Sequence, residues 1–224
     1  MQFERPKHAS QIGEGAYKKA FYERESGDLV WVEFKDTYTP AQAKSIFYLN
    51  NIAHLLFPLH TVKIAQSGVT PNNTPYLRSS YISPEADEAH QSIQTETLQN
   101  NGQPFDNSGA FDNRAAVMDH DAAINEFLDA FKDSGLKDNF SLIHAWGPQD
   151  VIFEVNGNFR FVDVDPAWEE PEDIGEDDYT NACLRFNPKK LEATISLLDD
   201  ETKKKAMSYF DRLLTLCREQ GFNV

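Results

Sequence analysis

The chain has 224 residues, and its composition limits the kinds of function it can have. Its 36 acidic side chains outnumber the 21 basic ones, and a net charge of −15 argues against binding nucleic acid, which needs clustered Lys and Arg. No apolar run approaches the roughly 18 residues of a membrane span, and the N-terminus lacks the apolar stretch of a secretory signal. We therefore expect no nucleic-acid partner, no membrane partner, and a cytoplasmic location or delivery into a host cytosol without a cleavable signal.

The same composition predicts a packed core and free thiols. Sixteen Phe, eight Tyr and three Trp supply ample apolar bulk, which argues against a chain that is disordered throughout. The two cysteines, Cys183 and Cys217, are far apart in sequence and show no zinc-binding spacing, so we expect both to be reduced.

The first third of the chain predicts an antiparallel sheet and one helix. Residues 8–35 should form three strands, because alternating apolar runs lie on either side of a polar turn. A helix is expected from Pro40 to about Leu56, where apolar residues recur at helical spacing and proline occupies the first position. Residues 61–66 and 75–82 then predict a strand pair.

A glycine loop connects the first two predicted strands. Gly13 and Gly15 flank Glu14, and Ala16 follows them. Glycine lets a backbone approach phosphates that a β-carbon would hold away, so the loop is a candidate cover for a nucleotide. Taken alone, the motif is also consistent with a plain β-turn.

The rest of the chain predicts a linker and three further helices. Residues 84–111 are rich in Gln, Asn, Ser and Gly, which is typical of a loop. Helices are expected at 115–132, at 187–198, and from 199 or 200 up to Gly221. Their apolar stripes are interpreted as core and not as cofactor contacts.

Two short apolar runs around residue 155 predict a hairpin bounded by carboxylates. Asp150 precedes the first run, and Asp163 follows the second run at 158–162. Between the runs, Asn156-Gly157 is the strongest short-range signal for a two-residue hairpin turn. The turn would place Asp150 beside Asp163, where their oxygens would suit a divalent metal.

Together these motifs resemble the protein kinase superfamily. The order of glycine loop, third strand, helix, two strands, linker, helix, catalytic loop and metal-binding hairpin is the kinase order over roughly residues 8–166. The resemblance implies an α+β, two-lobed protein kinase-like fold. Residues 1–83 would form an antiparallel five-stranded N-lobe, and 84–224 a reduced, mainly helical C-lobe similar to that of minimal bacterial effector kinases.

The third strand departs from the kinase pattern. The lysine expected at the end of V-A-I-K falls on Glu33, and Lys35, two residues on, would point to the same face of the strand. The following helix offers Lys44 where a kinase has a glutamate. A charge-reversed pair of Glu33 with Lys44 and two unrelated surface charges are both consistent with this pattern.

The catalytic loop departs further. His144 aligns with the histidine of H-R-D, which puts Trp146 where the kinase aspartate stands, and Trp has no acceptor for a hydroxyl proton. His144 is interpreted as a core residue and not as a general base. Asp150 stands where the kinase asparagine would be, and Asp163-Val164-Asp165 stands for D-F-G. Metal binding would therefore survive the loss of the catalytic aspartate.

The resemblance implies ATP with Mg²⁺ or Mn²⁺ as cofactors and two sets of site residues. The metal ligands would be Asp150, Asp163 and Asp165, of which the first two are also the catalytic candidates. The nucleotide-binding candidates are Gly13, Glu14, Gly15, Ala16, Glu33, Lys35, Lys44 and Tyr81.

Three hypotheses for the function follow from these motifs. The first is a pseudokinase, a regulatory or binding module, because the lysine and the catalytic aspartate are both missing. The alternative is an atypical active transferase that moves a phosphoryl or nucleotidyl group onto a protein. An α+β interaction protein whose glycine loop and hairpin have no nucleotide to bind stays open as well.

Acidic residues concentrate just after the hairpin. Residues 163–178 contain nine acidic side chains and no basic one. In a kinase this stretch is the activation segment, so the resemblance implies a basic protein partner attracted by the negative field. A solvated loop is the alternative.

Overall fold

The computed structural model describes residues 4–14, 18–23, 29–35, 38–82, 121–136, 151–153, 158–161 and 186–220. These ranges contain seven strands and four helices. In chain order they are β1 (Ser10–Glu14), β2 (Lys18–Glu23), β3 (Leu29–Phe34), α1 (Pro40–Leu56), β4 (Ile64–Val69), β5 (Pro75–Ser80), α2 (Asp121–Asp133), β6 (Val151–Phe153), β7 (Phe159–Phe161), α3 (Pro188–Ser196) and α4 (Asp200–Glu219).

The first five strands form one antiparallel sheet in the order β1, β2, β3, β5, β4. Helix α1 connects β3 to β4, and the three later helices follow the sheet in sequence together with the short hairpin of β6 and β7. The predicted α+β fold class is confirmed, with the five-stranded antiparallel sheet first and the mainly helical part after it.

Local signals set both ends of α1. The Thr39 hydroxyl accepts a hydrogen bond from the Gln42 N–H at 3.2 Å, and the Gln42 side chain accepts one from the Thr39 N–H at 2.8 Å. This capping box satisfies the backbone donors of Thr39 and Gln42 at the start of the helix, whose first residue is Pro40. The helix ends at Leu56 because Pro58 follows closely. The predicted bounds of this helix are confirmed.

The sheet has two faces, and α1 covers part of one of them. We call the side that packs on Ala43 and Ile46 of α1 the inner face. Its core residues are Val32, Phe34, Ile64 and Leu77. The opposite side is the outer face, and its buried apolar residues are Phe21, Trp31 and Tyr76. Strand β3 therefore buries apolar side chains on both faces, because residues that alternate along a strand point to opposite sides.

The largest core surrounds the second half of α1. There α1 packs against α4, while α2, β7 and α3 complete the cluster. Its fully buried members are Ile52, Leu136, Leu191, Ile195, Ala206 and Leu213. Each buried Leu or Ile contributes about 1.5–3 kcal/mol. The stripe predicted for α4 is confirmed as core, and so are Ile124, Phe127, Leu128 and Phe131 of α2. Ala123, predicted in the same stripe of α2, is exposed, and Val117 lies outside the described residues. The core joins residues on both sides of position 83, and the lobe boundary stays a prediction.

The hairpin of β6 and β7 forms in a register that differs from the predicted one. Phe153 pairs with Phe159. A two-residue turn at Asn156-Gly157 would instead pair Phe153 with Arg160. The predicted turn length is therefore wrong, since five residues separate the paired phenylalanines.

Strand β4 begins later than predicted, at Ile64 and not at Thr61. The Thr61 hydroxyl donates to the Phe57 carbonyl at 2.8 Å, and Thr61 forms a parallel bridge with Phe161 of the hairpin. These contacts hold 61–63 between α1 and the hairpin, so β4 begins to pair with β5 only at Ile64.

The last two helices begin where the sequence predicts. Asn187 caps α3 by accepting from the Lys190 N–H at 3.0 Å, and Asp199 caps α4. The predicted linker at 84–111 and the first residues of the helix expected at 115–132 lie outside the described residues. None of the helices in the described ranges is both long enough and apolar enough to cross a membrane.

Candidate functional site

The inner face of β2 and β3 carries an apolar strip beyond the part that α1 covers. Cross-strand partners share a face, so Ala20 lies beside Val32, and Tyr22 beside Val30. Ala20, Tyr22 and Val30 are half-buried and belong to none of the cores formed by the described residues. The strip therefore offers a partly exposed apolar surface to a flat ligand group.

Two of the predicted nucleotide-binding residues border this strip. The ring centroid of Tyr81 lies 4.5 Å from that of Tyr22, with 40° between the ring planes. Gly13 is the cross-strand partner of Ala20, and a β-carbon added at Gly13 would lie 4.0 Å from the Ala20 β-carbon, an ordinary contact. The fold therefore tolerates a side chain at Gly13, and the glycine leaves the space above Ala20 open.

Glu33 lies on the outer face, away from α1. Its carboxylate accepts a hydrogen bond from Trp31 Nε1 at 3.1 Å and forms an ion pair with Arg5 Nη1 at 3.3 Å. Lys44 is exposed on α1, which packs on the other face. The charge-reversed pair of Glu33 and Lys44 is therefore wrong, because β3 directs Glu33 to the side of the sheet that does not carry α1.

Glu14 and Lys35 also meet on the outer face. Lys35 Nζ lies 2.9 Å from Glu14 Oε1, and Lys19 Nζ lies 3.5 Å from the same oxygen. The hydrogen bond from Lys35 is the main reason that the pKa of Glu14 lies below its ordinary value. These residues, with Glu33 and Thr74, border a cleft of about 380 Å³. Its two lysines face two glutamates, so the cleft does not favour a phosphate.

Sequence reasoning missed Lys18 as a cation on the inner face. The α1-facing residue at this end of β3 is Phe34, and the cross-strand partner of Phe34 on β2 is Lys18. Lys18 Nζ lies 5.9 Å from the centroid of the Phe34 ring, which places an ammonium group on the inner face. The alternation of β2 was the available signal, since Lys18, Ala20 and Tyr22 share one face.

The hairpin beside the predicted metal ligands docks against the turn after α1. The Phe161 N–H donates to the His60 carbonyl at 2.9 Å. The His60 ring stacks on Phe159 with centroids 4.3 Å apart, and His60 Nδ1 lies 3.1 Å from the Phe159 carbonyl oxygen. Arg160 Nη1 donates to the Pro58 carbonyl at 3.1 Å. These contacts fix β7 relative to α1, and therefore relative to the inner face.

Several predicted residues and one predicted segment lie outside the described residues. They are Gly15, Ala16, His144, Trp146, Asp150, Asp163, Asp165 and the acidic segment 163–178. Among the residues that the structure does describe, no group of three His, Cys, Asp or Glu side chains is placed to hold a metal ion. The three aspartates stay predicted metal ligands, next to a hairpin whose position is set by its docking contacts.

Comparison with known proteins gives matches among solved structures. No protein-family model and no curated protein matches the chain. The GDP and kanamycin complex of APH(2")-IIia has 16% identity and a TM-score of 0.36, over 92% of this chain and 84% of that one. The GDP complex of wild-type aminoglycoside 2'-phosphotransferase-IIIa has 13% identity and a TM-score of 0.35, over 94% and 84%. A GDP complex of a point mutant of that enzyme has 15% identity and a TM-score of 0.36, over 94% and 83%.

Proposed function

We propose that this chain is a kinase-like binding module that holds ATP and a divalent metal on the inner face and transfers phosphate poorly or not at all. The observation that carries the proposal is the orientation of β3. Phe34 occupies the α1-facing position, while Glu33 and Lys35 point to the outer face and pair with Arg5 and Glu14.

Kinases position the phosphates with an ion pair between a lysine of the third strand and a glutamate of the following helix, and this chain lacks both members of that pair. The sequence of α1 contains no Asp or Glu, so the helix has no carboxylate to pair with a lysine of β3. Trp146 replaces the aspartate that orients the attacking hydroxyl group. Efficient phosphoryl transfer depends on positioning and charge stabilisation, and losing both groups favours binding without efficient transfer.

Three features support the binding of a nucleotide and a metal ion. The apolar strip of Ala20, Val30 and Tyr22 would take the base, with Tyr81 at its edge. Gly13 leaves room above Ala20 for a phosphate group. Asp150, Asp163 and Asp165 would hold Mg²⁺ or Mn²⁺, which prefer carboxylate oxygens and bridge to phosphates.

Thermal melting with nucleotides tests the proposal. A ligand that binds only the folded state must stabilise it, by about 2.7 kcal/mol at a hundredfold excess over Kd. We expect ATP with Mg²⁺ or Mn²⁺ to raise the Tm of the wild-type chain, and Gly13→Val to remove that rise while the Tm without ligand is kept. If no adenine or guanine nucleotide of a panel shifts the Tm in the presence of Mg²⁺ or of Mn²⁺, the proposal is overturned.

An active transferase is the second candidate, because an ammonium group is present on the inner face at Lys18. ATP labelled at the γ- or α-phosphate distinguishes the two candidates. If wild-type chain incorporates the label into protein and Asp163→Ala does not, transfer is established and the pure binding module is rejected. Binding without incorporation at either label supports the module.

A further inference from the structure

We infer that Lys18 of β2 is the cation that binds the phosphate groups of the nucleotide, in place of a lysine on β3. The inference rests on the proposed nucleotide site and identifies the group that would give it preference for phosphorylated ligands. Its basis is the face on which each lysine of the N-terminal sheet lies.

The lysines beside Lys18 are directed away from the inner face. Lys19 follows Lys18 on β2, and Lys35 follows β3 directly, and both contact the carboxylate of Glu14 on the outer face at 3.5 Å and 2.9 Å. A phosphate approaching these two lysines would also meet Glu14 and Glu33, whose negative charges oppose it.

Lys18 is placed where a lysine on β3 would otherwise act. Its cross-strand partner is Phe34, whose ring packs on Ala43 and Ile46 of α1. The ammonium group lies 5.9 Å from the centroid of that ring, within the range of a cation–π contact. Neighbouring strands are about 4.8 Å apart, so moving the lysine from β3 to β2 displaces its origin by only one strand spacing.

Lys18 and Gly13 lie beside the same region of the inner face. Gly13 is opposite Ala20, and Ala20 is two residues from Lys18 on β2 and on the same side. A phosphate placed above Ala20 would therefore lie between the open space at Gly13 and the Lys18 ammonium. Lysine binds phosphate as a mobile point charge and does not need the fixed geometry of an arginine.

The ligand class follows from this arrangement. A nucleoside without phosphates would contact only the apolar strip, whereas a nucleoside diphosphate or triphosphate would also reach Lys18. The site should therefore discriminate strongly between ATP and adenosine, and removing the Lys18 charge should reduce that discrimination.

The test compares two adjacent lysines on opposite faces of β2. Titration calorimetry with ATP and Mg²⁺, and separately with adenosine, is done on wild-type chain, Lys18→Met and Lys19→Met. Both variants lose one positive charge from the same strand, so any effect of net charge is matched. We expect Lys18→Met to weaken ATP binding at least tenfold without changing adenosine binding, and Lys19→Met to bind both ligands within twofold of wild type.

The outcomes separate this inference from the proposed function. If wild-type chain binds ATP and the two variants bind it equally, Lys18 is not the phosphate cation, and the nucleotide site stands. An equal loss of ATP and adenosine binding in Lys18→Met also rejects the inference. No ATP binding by wild-type chain rejects both. Lys18→Gln, checked by circular dichroism, replaces Lys18→Met if the latter does not fold.

Discussion

Alanine at Gly68 is expected to destabilise the fold, whereas alanine at Gly13 is expected to leave it nearly unchanged. The two glycines lie in strands of the same sheet, β4 and β1, and neither has a positive φ. What differs is the neighbour that a new methyl group would meet.

At Gly68 the new β-carbon would lie 2.7 Å from the hydroxyl oxygen of Tyr76 and 2.8–2.9 Å from two ring carbons. Non-bonded carbons prefer about 3.5–4.0 Å, so the ring would have to retreat by most of an ångström. Tyr76 is fully buried and stacked on Trp31 at 4.0 Å, which leaves the ring little freedom. Overpacking of this kind costs about 1–3 kcal/mol.

Urea unfolding followed by circular dichroism measures both variants. A loss of about 1–3 kcal/mol corresponds to a Tm that is lower by roughly 2–12 °C for a chain of this size. At Gly13 the nearest side-chain atom is 4.0 Å away, so the expected change in the free energy of unfolding is within about 0.5 kcal/mol.

A double-mutant cycle isolates the cause. Tyr76→Phe removes the nearest atom and the hydrogen bond that Gln66 Nε2 donates at 3.0 Å, and should itself cost about 1 kcal/mol. If the clash is the reason, Gly68→Ala should cost less in the Tyr76→Phe background than in the wild-type chain. Equal stability of Gly68→Ala and Gly13→Ala would refute the reasoning.

Three further measurements test other parts of the structure. Burial raises the pKa of the Cys217 thiol to about 12, so in a Cys183→Ser variant we expect an aromatic disulfide reagent at pH 8 to label Cys217 no faster than the chain unfolds. Burial lowers the pKa of His54, so only the unfolded chain takes up a proton there near pH 6.5, and the free energy of unfolding should fall as the pH drops below about 6.5. His54→Asn should reduce that dependence. Asn187→Ala removes the cap of α3 and should cost about 1 kcal/mol in urea unfolding.

Each of these expectations has an outcome that contradicts it. Cys217 labelled at the rate of a free thiol would mean that the α4 core opens readily. An identical pH profile for wild-type chain and His54→Asn would mean that His54 titrates alike in the folded and unfolded states. For α3, a loss from Asn187→Ala no larger than that from alanine at the exposed Glu192 would show that the cap contributes nothing of its own.

Elements with local signals were predictable. The bounds of α1 follow from Thr39, Pro40 and Pro58, which act within one turn of the helix ends, and the caps of α3 and α4 have the same local character. Helical periodicity likewise identified the buried stripe of α4, because one face of an amphipathic helix must meet the core.

Elements whose bounds or register depend on tertiary contacts were not predictable from the sequence. Thr61 leaves the β4 strand because it bonds to Phe57 and Phe161, and the latter is a hundred residues away. The hairpin register depends on the length of the connecting loop, and a change of one residue there moves every cross-strand pair.

The candidate site shows the same division. Alternation along β3 was enough to place Glu33 and Lys35 on one side of the strand. It could not identify which side meets α1, since Trp31 makes one face apolar and Val32 and Phe34 make the other apolar too. The packing of α1 on Phe34 decides it, and it places Lys18 on the inner face and Lys35 on the outer face. When a strand buries a large aromatic side chain on each side, the helix that packs on it decides which side chains face that helix.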